Sequence, residues 1–302
     1  MQEQGRPVDS SAGRRSFTAI VNPVAGGGRA ATVWAPIAEL LAASAASVRT
    51  VTTRTADDGG RLASEAAERG DAVVAVGGDG IVRDVAEAVA RAGGLFAVVP
   101  GGRGNGFAAK LGMPSEPGAA ARVLLAGAER RVDLLEIDGR LAPGNAYSGL
   151  DAVANLMMND SRIPSGIAYR VAPVLAIVRW RPARFELDID GVRHSLPAHL
   201  VVLANSGRYG HGLDIVPDAL LDDGLVHVLV AGAEIPKRHV ARFMKLAETG
   251  SHVAEPGVRR FTGRRIAISA DRPLPLCIDG DGAGGLPVHV EIRPSALRLI
   301  SP

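Results

Sequence analysis

Residues 71–112 decide the fold, and they read DAVVAVGGDGIVRDVAEAVARAGGLFAVVPGGRGNGFAAKLG. Ala72 to Val76 form a short run of small apolar side chains that ends in Gly-Gly-Asp-Gly, which is typical of a buried parallel strand. From Val82 onward valines recur three and four positions apart, and this period predicts a helix. A second apolar run, Leu95 to Val99, leads into the glycine-rich loop 100–106. The stretch therefore predicts two neighbouring parallel strands, each of which ends in a glycine loop.

The glycine loops indicate a ligand with phosphate groups. Without Cβ atoms, the backbone can approach a ligand closely, and its N–H groups can point at an anion. Asp79 stands between Gly78 and Gly80, and its carboxylate would repel a bare phosphate unless a divalent cation lay between them. The pattern therefore favours nucleotide phosphates with magnesium. A tight strand-to-helix turn, with Asp79 as the helix cap, is the structural alternative.

Composition places the chain among ordinary globular proteins. It has 302 residues, of which 47% are hydrophobic and 22% are charged, and this is enough for two cores. The net charge of +2 is too small to indicate a nucleic-acid partner. The single cysteine, Cys277, excludes an internal disulfide and fits a reducing compartment. No apolar run reaches the length of a transmembrane helix, so we expect a cytoplasmic protein that contacts the inner membrane face only peripherally.

The first part of the chain alternates strands with helices. Residues 1–16 are polar and are expected to form a disordered tail. Phe17 to Val21 is the first strand, a third glycine loop, Asn22 to Gly28, follows it, and Pro36 is expected near the start of the next helix. This alternation predicts a nucleotide-binding α/β domain over residues 17–138, built on a doubly wound parallel sheet. Ligands bind such sheets at the carboxyl ends of the strands, so the three glycine loops would share one site.

The pattern changes after about Gly139. Short alternating strands separated by Asp-Gly turns predict an antiparallel β-sandwich that forms a substrate domain over residues 139–293. Two helices interrupt these strands, around Gly166 to Trp180 and around Pro236 to Thr249. Residues 294–302 follow the last predicted strand and are expected to return to the first domain.

Several marks resemble the catalytic domain of diacylglycerol kinases and of their bacterial lipid-kinase relatives. The first two are Gly-Gly-Asp-Gly at 77–80 and the loop from Pro100 to Phe107. In the second domain, Tyr147 to Ala152 is similar to the family's Gly-Phe-Asp-Ala segment, and residues 205–231 resemble its glycine-rich turn. Residues 279–281, Asp-Gly-Asp, stand where the family has Asp-Gly-Glu. NAD kinases and phosphofructokinases share Gly-Gly-Asp-Gly but lack the second-domain set.

The resemblance implies an ATP-dependent lipid kinase that uses Mg²⁺ and transfers the γ-phosphate to a lipid hydroxyl of the diacylglycerol type. Its nucleotide site would use all three glycine loops and one threonine, with Asp79 acting through magnesium. The residues assigned to this site are Asn22, Pro23, Gly26, Gly27, Thr55, Gly77, Gly78, Asp79, Gly80, Gly102, Arg103 and Asn105.

The resemblance also implies a catalytic base and a second metal site. Asp281 stands where the family places its general base. Asp223, together with the carbonyl groups of Leu220 and Leu225, matches a magnesium site of bacterial members that is structural rather than catalytic.

The chain departs from the family pattern in and just after the two glycine loops of residues 71–112. Ile81 and Arg83 replace a threonine and an asparagine, and Arg103 and Gly106 replace a threonine and an acid. Arginine can bind phosphate through two parallel hydrogen bonds, so we expect phosphate binding in an altered form. Two alternatives stay open: a kinase of the same fold for a non-lipid or specialised alcohol, and a degenerate nucleotide-binding protein without kinase activity.

The expected partner is a lipid or another alcohol, with peripheral membrane contact. The helix around Phe243 and the arginines near residue 260 are the candidates for contact with anionic lipid, and a solvated face is the alternative. A homodimer is an open alternative for the assembly. The arginines are Arg259, Arg260, Arg264 and Arg265.

Overall fold

The computed structural model describes residues 15–55, 58–159, 165–209 and 212–302. The expected tail lies outside these ranges up to residue 14, whereas Ser16 already belongs to a strand. Within the described ranges the strands are β1 Ser16–Val21, β2 Ser47–Thr52, β3 Ala72–Gly77, β4 Leu95–Pro100, β5 Ala128–Ile137, β6 Arg140–Ala142, β7 Asn145–Gly149, β8 Ala183–Ile189, β9 Val192–Ala204, β10 Arg208–Tyr209, β11 Leu213–Asp214, β12 Val226–Gly232, β13 Val258–Gly263, β14 Arg265–Ala270, β15 Pro275–Ile278, β16 Asp281–Gly285 and β17 Val288–Ser301. The α-helices are α1 Arg29–Ala43, α2 Asp58–Glu68, α3 Asp79–Ala92, α4 Gly106–Lys110, α5 Pro117–Ala126, α6 Leu150–Asn159, α7 Ser165–Arg179 and α8 Val240–Ala247.

The N-terminal sheet is parallel, in the order β2, β1, β3, β4. Val76 of β3 lies opposite both Val21 of β1 and Val99 of β4, so these three strands end together. The three glycine loops therefore meet at the carboxyl edge of the sheet, where α/β folds bind ligands.

Helices cover both faces of this sheet. On one face, α1 and α5 pack through Trp34, Ile37 and Leu124. On the other, α2 and α3 pack through small side chains such as Ala63 and through the valines of α3, which are buried at the spacing that the sequence predicts. The predicted doubly wound α/β fold is thus confirmed. Pro36 lies inside α1 rather than near its start, because the helix begins directly after the glycine loop.

The C-terminal part is antiparallel, as predicted. The strand order is β16, β15, β7, β9, β8, β14, β17, with β12 and β13 attached beside β9. Both faces of the second half of β9 are buried: Val201 and Leu203 face one hydrophobic cluster, and Leu200 and Val202 face another. The predicted β-sandwich is confirmed by these two packed layers.

The last strand, β17, belongs to both parts of the molecule. Its first half pairs with β14 of the sandwich, and Arg298 and Leu299 near its end pair in parallel with Leu95 and Phe96 of β4. β5 runs antiparallel to it along almost its whole length, with a shift of register between Arg293 and Leu297. One continuous sheet therefore joins the parallel N-terminal part to the antiparallel C-terminal part.

The sequence did not indicate β7, β13, β16 or α6. β7 reads Asn-Ala-Tyr-Ser-Gly, which has no apolar alternation, yet all five residues are buried. It forms a strand because its backbone pairs with β9 on one side and β15 on the other. Such a strand is specified by its neighbours in the sheet and not by its own side chains.

Candidate active site

One cavity of about 1050 Å³ runs from the carboxyl edge of the parallel sheet into the sandwich part. Its polar end is lined by residues of all three glycine loops and by several carboxylates. Its other end is lined by apolar side chains of α6, α7 and α8. The polar lining comprises Asn22, Gly26, Thr55, Gly78, Asp79, Gly80, Asp84, Gly102, Arg103, Gly104, Asp279 and Asp281.

The glycine loops touch one another through positions that tolerate no side chain. A Cβ on Gly102 would lie 2.2 Å from Gly78 Cα, and a Cβ on Gly26 would lie 2.5 Å from the carbonyl oxygen of Gly101. These glycines allow three strand ends to converge closely, with their backbone facing the cavity. That arrangement leaves room for a phosphate chain to lie against the main chain.

The carboxylate of Asp79, in the loop at 77–80, accepts hydrogen bonds from the end of the loop at 100–106 and from the start of α4. Burial raises its pKa, and the amides of Phe107, Gly106 and Asn105 oppose that rise by hydrogen bonding to the charged form. A Cβ on Gly104 would lie 2.6 Å from Asp79 Oδ2, so the loop wraps closely around the carboxylate. Asp79 therefore holds the start of α4 in place as well as facing the cavity.

Of the residues assigned to the nucleotide, eight line the cavity and four do not. Asn105, one of the four, braces its own loop: its Oδ1 accepts from Gly102 N at 2.8 Å, and its Nδ2 donates to the Gly102 carbonyl at 3.0 Å. The others outside the lining are Pro23, Gly27 and Gly77.

Arg83 does not line the cavity, so it is not placed to grip phosphate as the sequence suggested. Its guanidinium bonds to Asp84 Oδ1 at 2.9 Å and donates to the Ile278 carbonyl at 3.0 Å. It also lies 3.1 Å from Asp281 Oδ2. Arg83 therefore fixes helix α3 to the loop that contains the predicted base.

Sequence reasoning did not assign Asp279 to the site, although it lies one glycine before Asp281 and lines the same cavity. Burial, with the nearby charge of Asp79, raises the pKa of Asp279 to about 7, although hydrogen bonds from Asn145 and Gly144 favour its charged form. Asn145 N donates to its Oδ1 at 2.7 Å. Asp279 is visible in the sequence as the first acid of Asp-Gly-Asp. Its environment is not, because it is formed by Gly144 and Asn145, which lie more than a hundred positions earlier in the chain.

The apolar end of the cavity is a channel between three helices, and its lining also includes polar side chains: Asn155 of α6, the Lys245–Glu248 pair at the end of α8, and the pair formed by Asp151 and Tyr209. Tyr209 donates from its hydroxyl to Asp151 Oδ2 at 2.7 Å, and its ring stacks on Tyr147 at a centroid distance of 5.0 Å. Burial raises the pKa of Asp151. The apolar lining comprises Leu150, Ala154, Met158, Pro173, Ile177, Leu213, Val240, Ala241 and Met244.

The carboxylate of Asp223, which is predicted to hold a structural cation, has hydrogen-bond partners within its own turn. Asp223 Oδ2 lies 2.8 Å from His227 Nε2, and its Oδ1 accepts from Leu225 N at 3.1 Å. Both carboxylate oxygens thus already have donors, and Leu220 is half exposed. Among the described residues, no three acidic, histidine or cysteine side chains converge on one point. The predicted site relies on one carboxylate and two backbone carbonyl groups, so the structural cation stays a prediction.

Three of the membrane candidates named from the sequence have partners within the protein. Arg259 pairs with Glu234, and Arg260 pairs with Asp218. Phe243 packs edge-on against His252. Within the described ranges, no helix is both long and apolar enough to cross a membrane.

Both parts of the molecule match known family models. Residues 16–137 match the diacylglycerol kinase catalytic domain, and residues 144–301 match the YegS C-terminal NAD kinase beta sandwich-like domain. The chain belongs to the diacylglycerol kinase family, in the group that includes YegS-like lipid kinases. It is therefore a kinase of the lipid-kinase class.

Individual relatives agree with this assignment. The chain is 29% identical to a diacylglycerol kinase of Mycobacterium tuberculosis over 94% of both chains. It is 31% identical to a probable YegS-like lipid kinase of Pseudomonas fluorescens over 82% of this chain and 83% of the relative. A crystal structure of a diacylglycerol kinase from Bacillus anthracis superposes with a TM-score of 0.71 at 19% identity, over 95% of this chain and 97% of that one, and so shares the fold.

Proposed function

We propose that this chain transfers the γ-phosphate of ATP to the hydroxyl group of a diacylglycerol-like lipid. The observation that supports this is the single cavity, in which glycine loops and carboxylates at one end are continuous with an apolar channel at the other. A phosphate donor and a lipid would meet in the middle of that cavity. Phosphoryl transfer depends mainly on such positioning and on charge neutralisation.

The polar end fits a nucleotide with magnesium. The backbone of Gly26, Gly78 and Gly102 is open to the cavity, and Arg103 provides a cation beside it. Mg²⁺ is commonly held by one or two carboxylates together with phosphate oxygens and water, so a protein cage of three acids is not required. Asp79 is placed to contribute such a carboxylate, and magnesium bound there would neutralise charge on the phosphates.

Two carboxylates compete for the role of the base. Family resemblance assigns it to Asp281, which is 56% exposed and paired with Arg83. Asp279 lies deeper, and its pKa of about 7 suits a group that must accept a proton near neutral pH. We propose that one of this pair accepts the proton of the acceptor hydroxyl, and the two assignments predict different effects of substitution.

The apolar channel supports a lipid acceptor over a water-soluble alcohol. Its walls are mainly aliphatic, and burial of acyl chains there would be driven by the hydrophobic effect, at roughly 25 cal/mol per Å² of apolar surface. The Asp151–Tyr209 pair lines the same cavity and offers polar contacts to an acceptor there. A diacylglycerol has its hydroxyl and ester groups at one end and its chains at the other, which matches this order.

Turnover measured on the purified chain tests the proposal. We expect transfer of labelled phosphate from ATP to diacylglycerol in the presence of Mg²⁺, with little transfer to glycerol. The panel should include a sphingoid base, a polyprenol and water-soluble alcohols. Activity confined to a soluble alcohol would favour the specialised kinase, and nucleotide binding without transfer to any acceptor would favour a degenerate binder.

A further inference from the structure

Helix α7 presents two valines to solvent beside the apolar channel. The exposed fractions of Val174 and Val178 are 59% and 68%, and the two residues are one turn apart on the same face. Their neighbours Pro173 and Ile177 line the channel. Helix α7 thus lines the channel with one face and exposes an apolar strip, Val174 and Val178, on the adjacent face.

The sequence around these two valines is basic. Residues 161–185 contain five arginines and no acidic residue. Arg179 and Arg181 are exposed, and among the described residues neither side chain has an acidic partner. By contrast, Arg242 on α8 is neutralised by Glu255 at 2.7 Å. Arginines without acidic partners, next to exposed valines, are suited to bind a surface that has negatively charged groups above an apolar interior.

The end of α7 is bound to the segment that leads into α8. Lys237, just before α8, donates from Nζ to the carbonyl groups of Val178 and Trp180, each at 3.0 Å. Met244 of α8 is also exposed and lines the channel. The end of α7, the start of α8 and the channel therefore form one connected region.

We propose that Val174, Val178, Arg179 and Arg181, which we call the α7 surface, dock on an anionic lipid bilayer. The occupant is a bilayer because its headgroups would pair with the arginines while its acyl region would take the valines. The proposal rests on the proposed function in one respect: a lipid acceptor could pass from the bilayer along α7 into the channel without crossing water. It places membrane contact on α7 rather than on the arginines near residue 260, of which Arg259 and Arg260 are paired with acids.

Flotation with vesicles tests the docking independently of any turnover. We expect the full chain to bind phosphatidylcholine vesicles that contain phosphatidylglycerol, and the double variant Val174→Gln/Val178→Gln to bind about tenfold or more weakly, since each buried valine contributes over 1 kcal/mol. Val192→Gln is the matched control, because Val192 is 60% exposed on β9 and does not line the channel. Equal binding by the double variant and the control would overturn the proposal.

The charge contribution has its own variant. Arg179→Gln/Arg181→Gln should weaken binding to phosphatidylglycerol vesicles about tenfold or more, at roughly 1 kcal/mol per arginine, and salt should have the same effect on the wild type. Turnover of a short-chain soluble acceptor should not change in either double variant.

If the wild type instead forms a dimer without vesicles and the valine variant is monomeric, the α7 surface is an interface between copies and not a membrane site. If the chain floats but transfers no phosphate, the docking stands and the proposed kinase activity fails.

Discussion

Asp279 and Asp281 are separated by one glycine, but they differ in the way that matters for a base. Asp281 is largely exposed, and its carboxylate forms an ion pair with an arginine nitrogen 3.1 Å away. Asp279 is held by two backbone amides beside Asp79, with a pKa of about 7. A carboxyl group with that pKa can both take and release a proton at neutral pH.

Asparagine at each position separates the two assignments. We expect Asp279→Asn to lower kcat by about a hundredfold or more, since a positioned base contributes roughly 10²- to 10⁴-fold, and Asp281→Asn to lower it less. The kcat of the wild type should rise with pH through about 7, because only the deprotonated carboxylate can accept the proton. Steady-state kinetics from pH 5.5 to 8.5 measure both. A steeper loss in Asp281→Asn would return the role to Asp281.

The same carboxyl group should affect stability. Its pKa in the folded state lies above the ordinary value of 3.8, so the folded protein binds the proton more tightly than the unfolded chain does. Stability from this group is therefore full below about pH 4 and is lost as pH rises to about 7. We expect Asp279→Asn to raise Tm relative to the wild type at pH 8 and to change it less at pH 5. Scanning fluorimetry at both pH values measures the difference, and an equal change at both would contradict the raised pKa.

Asp79 should show two separable roles. Asp79→Ala removes the acceptor for the amides at the start of α4, which is worth about 1 kcal/mol for a helix cap. We therefore expect lower stability and lost turnover. Asp79→Asn keeps an acceptor oxygen but loses the charge for magnesium, so Tm should be nearly unchanged while turnover is lost. Near-normal turnover in the asparagine variant would remove the metal role and leave only the cap.

At the scale of elements, the turn between Leu220 and β12 makes a prediction about metal. Since His227 and Leu225 already satisfy the carboxylate of Asp223, we expect EDTA to leave Tm unchanged. His227→Ala should lower Tm, because it leaves a partly buried carboxylate oxygen without its donor. The exposed His289→Ala is the matched control. A fall in Tm on addition of EDTA that Asp223→Ala abolishes would restore the structural cation.

Some elements could be predicted from sequence and others could not, for physical reasons. β1, β3 and β4 are buried on both faces, so continuous apolar runs identified them within one residue at each end. β7 has no such run, because its position is set by pairing with strands far away in the chain. In the same way, the loops of the site were visible as glycines, but the contacts of Arg83 and Asp279 depend on the tertiary approach of distant segments.

At the scale of the whole molecule, β17 makes the two parts depend on each other. Leu297 and Leu299 near its end are fully buried in the core of the parallel-sheet part, while Val288 and Val290 near its start are buried in the sandwich. A substitution that destabilises the packing at one end of β17 should therefore also destabilise the part of the molecule at its other end. We expect the two parts to unfold in one cooperative transition.

The two tryptophans of the chain can report on this separately. Trp34 lies on α1 beside the parallel sheet, and Trp180 lies in the core of the sandwich. We expect Leu299→Ala to cost about 2–5 kcal/mol and to shift the unfolding midpoint seen by both tryptophans equally, each measured in a variant that lacks the other. Leu40→Ala is the control, because Leu40 is 43% exposed. Different midpoints for Trp34 and Trp180 would show that the parts unfold independently.

The position of β17 also constrains how the protein is made. β17 follows the other strands in the described part of the chain, so the edge of β4 keeps unpaired backbone groups until β17 has been synthesised and has paired with it. An open edge strand is a site for unwanted pairing with other chains. Pairing of β17 closes that edge, and the same strand also pairs with β14 of the sandwich. Premature termination anywhere before β17 should therefore yield an aggregation-prone fragment rather than a stable α/β domain.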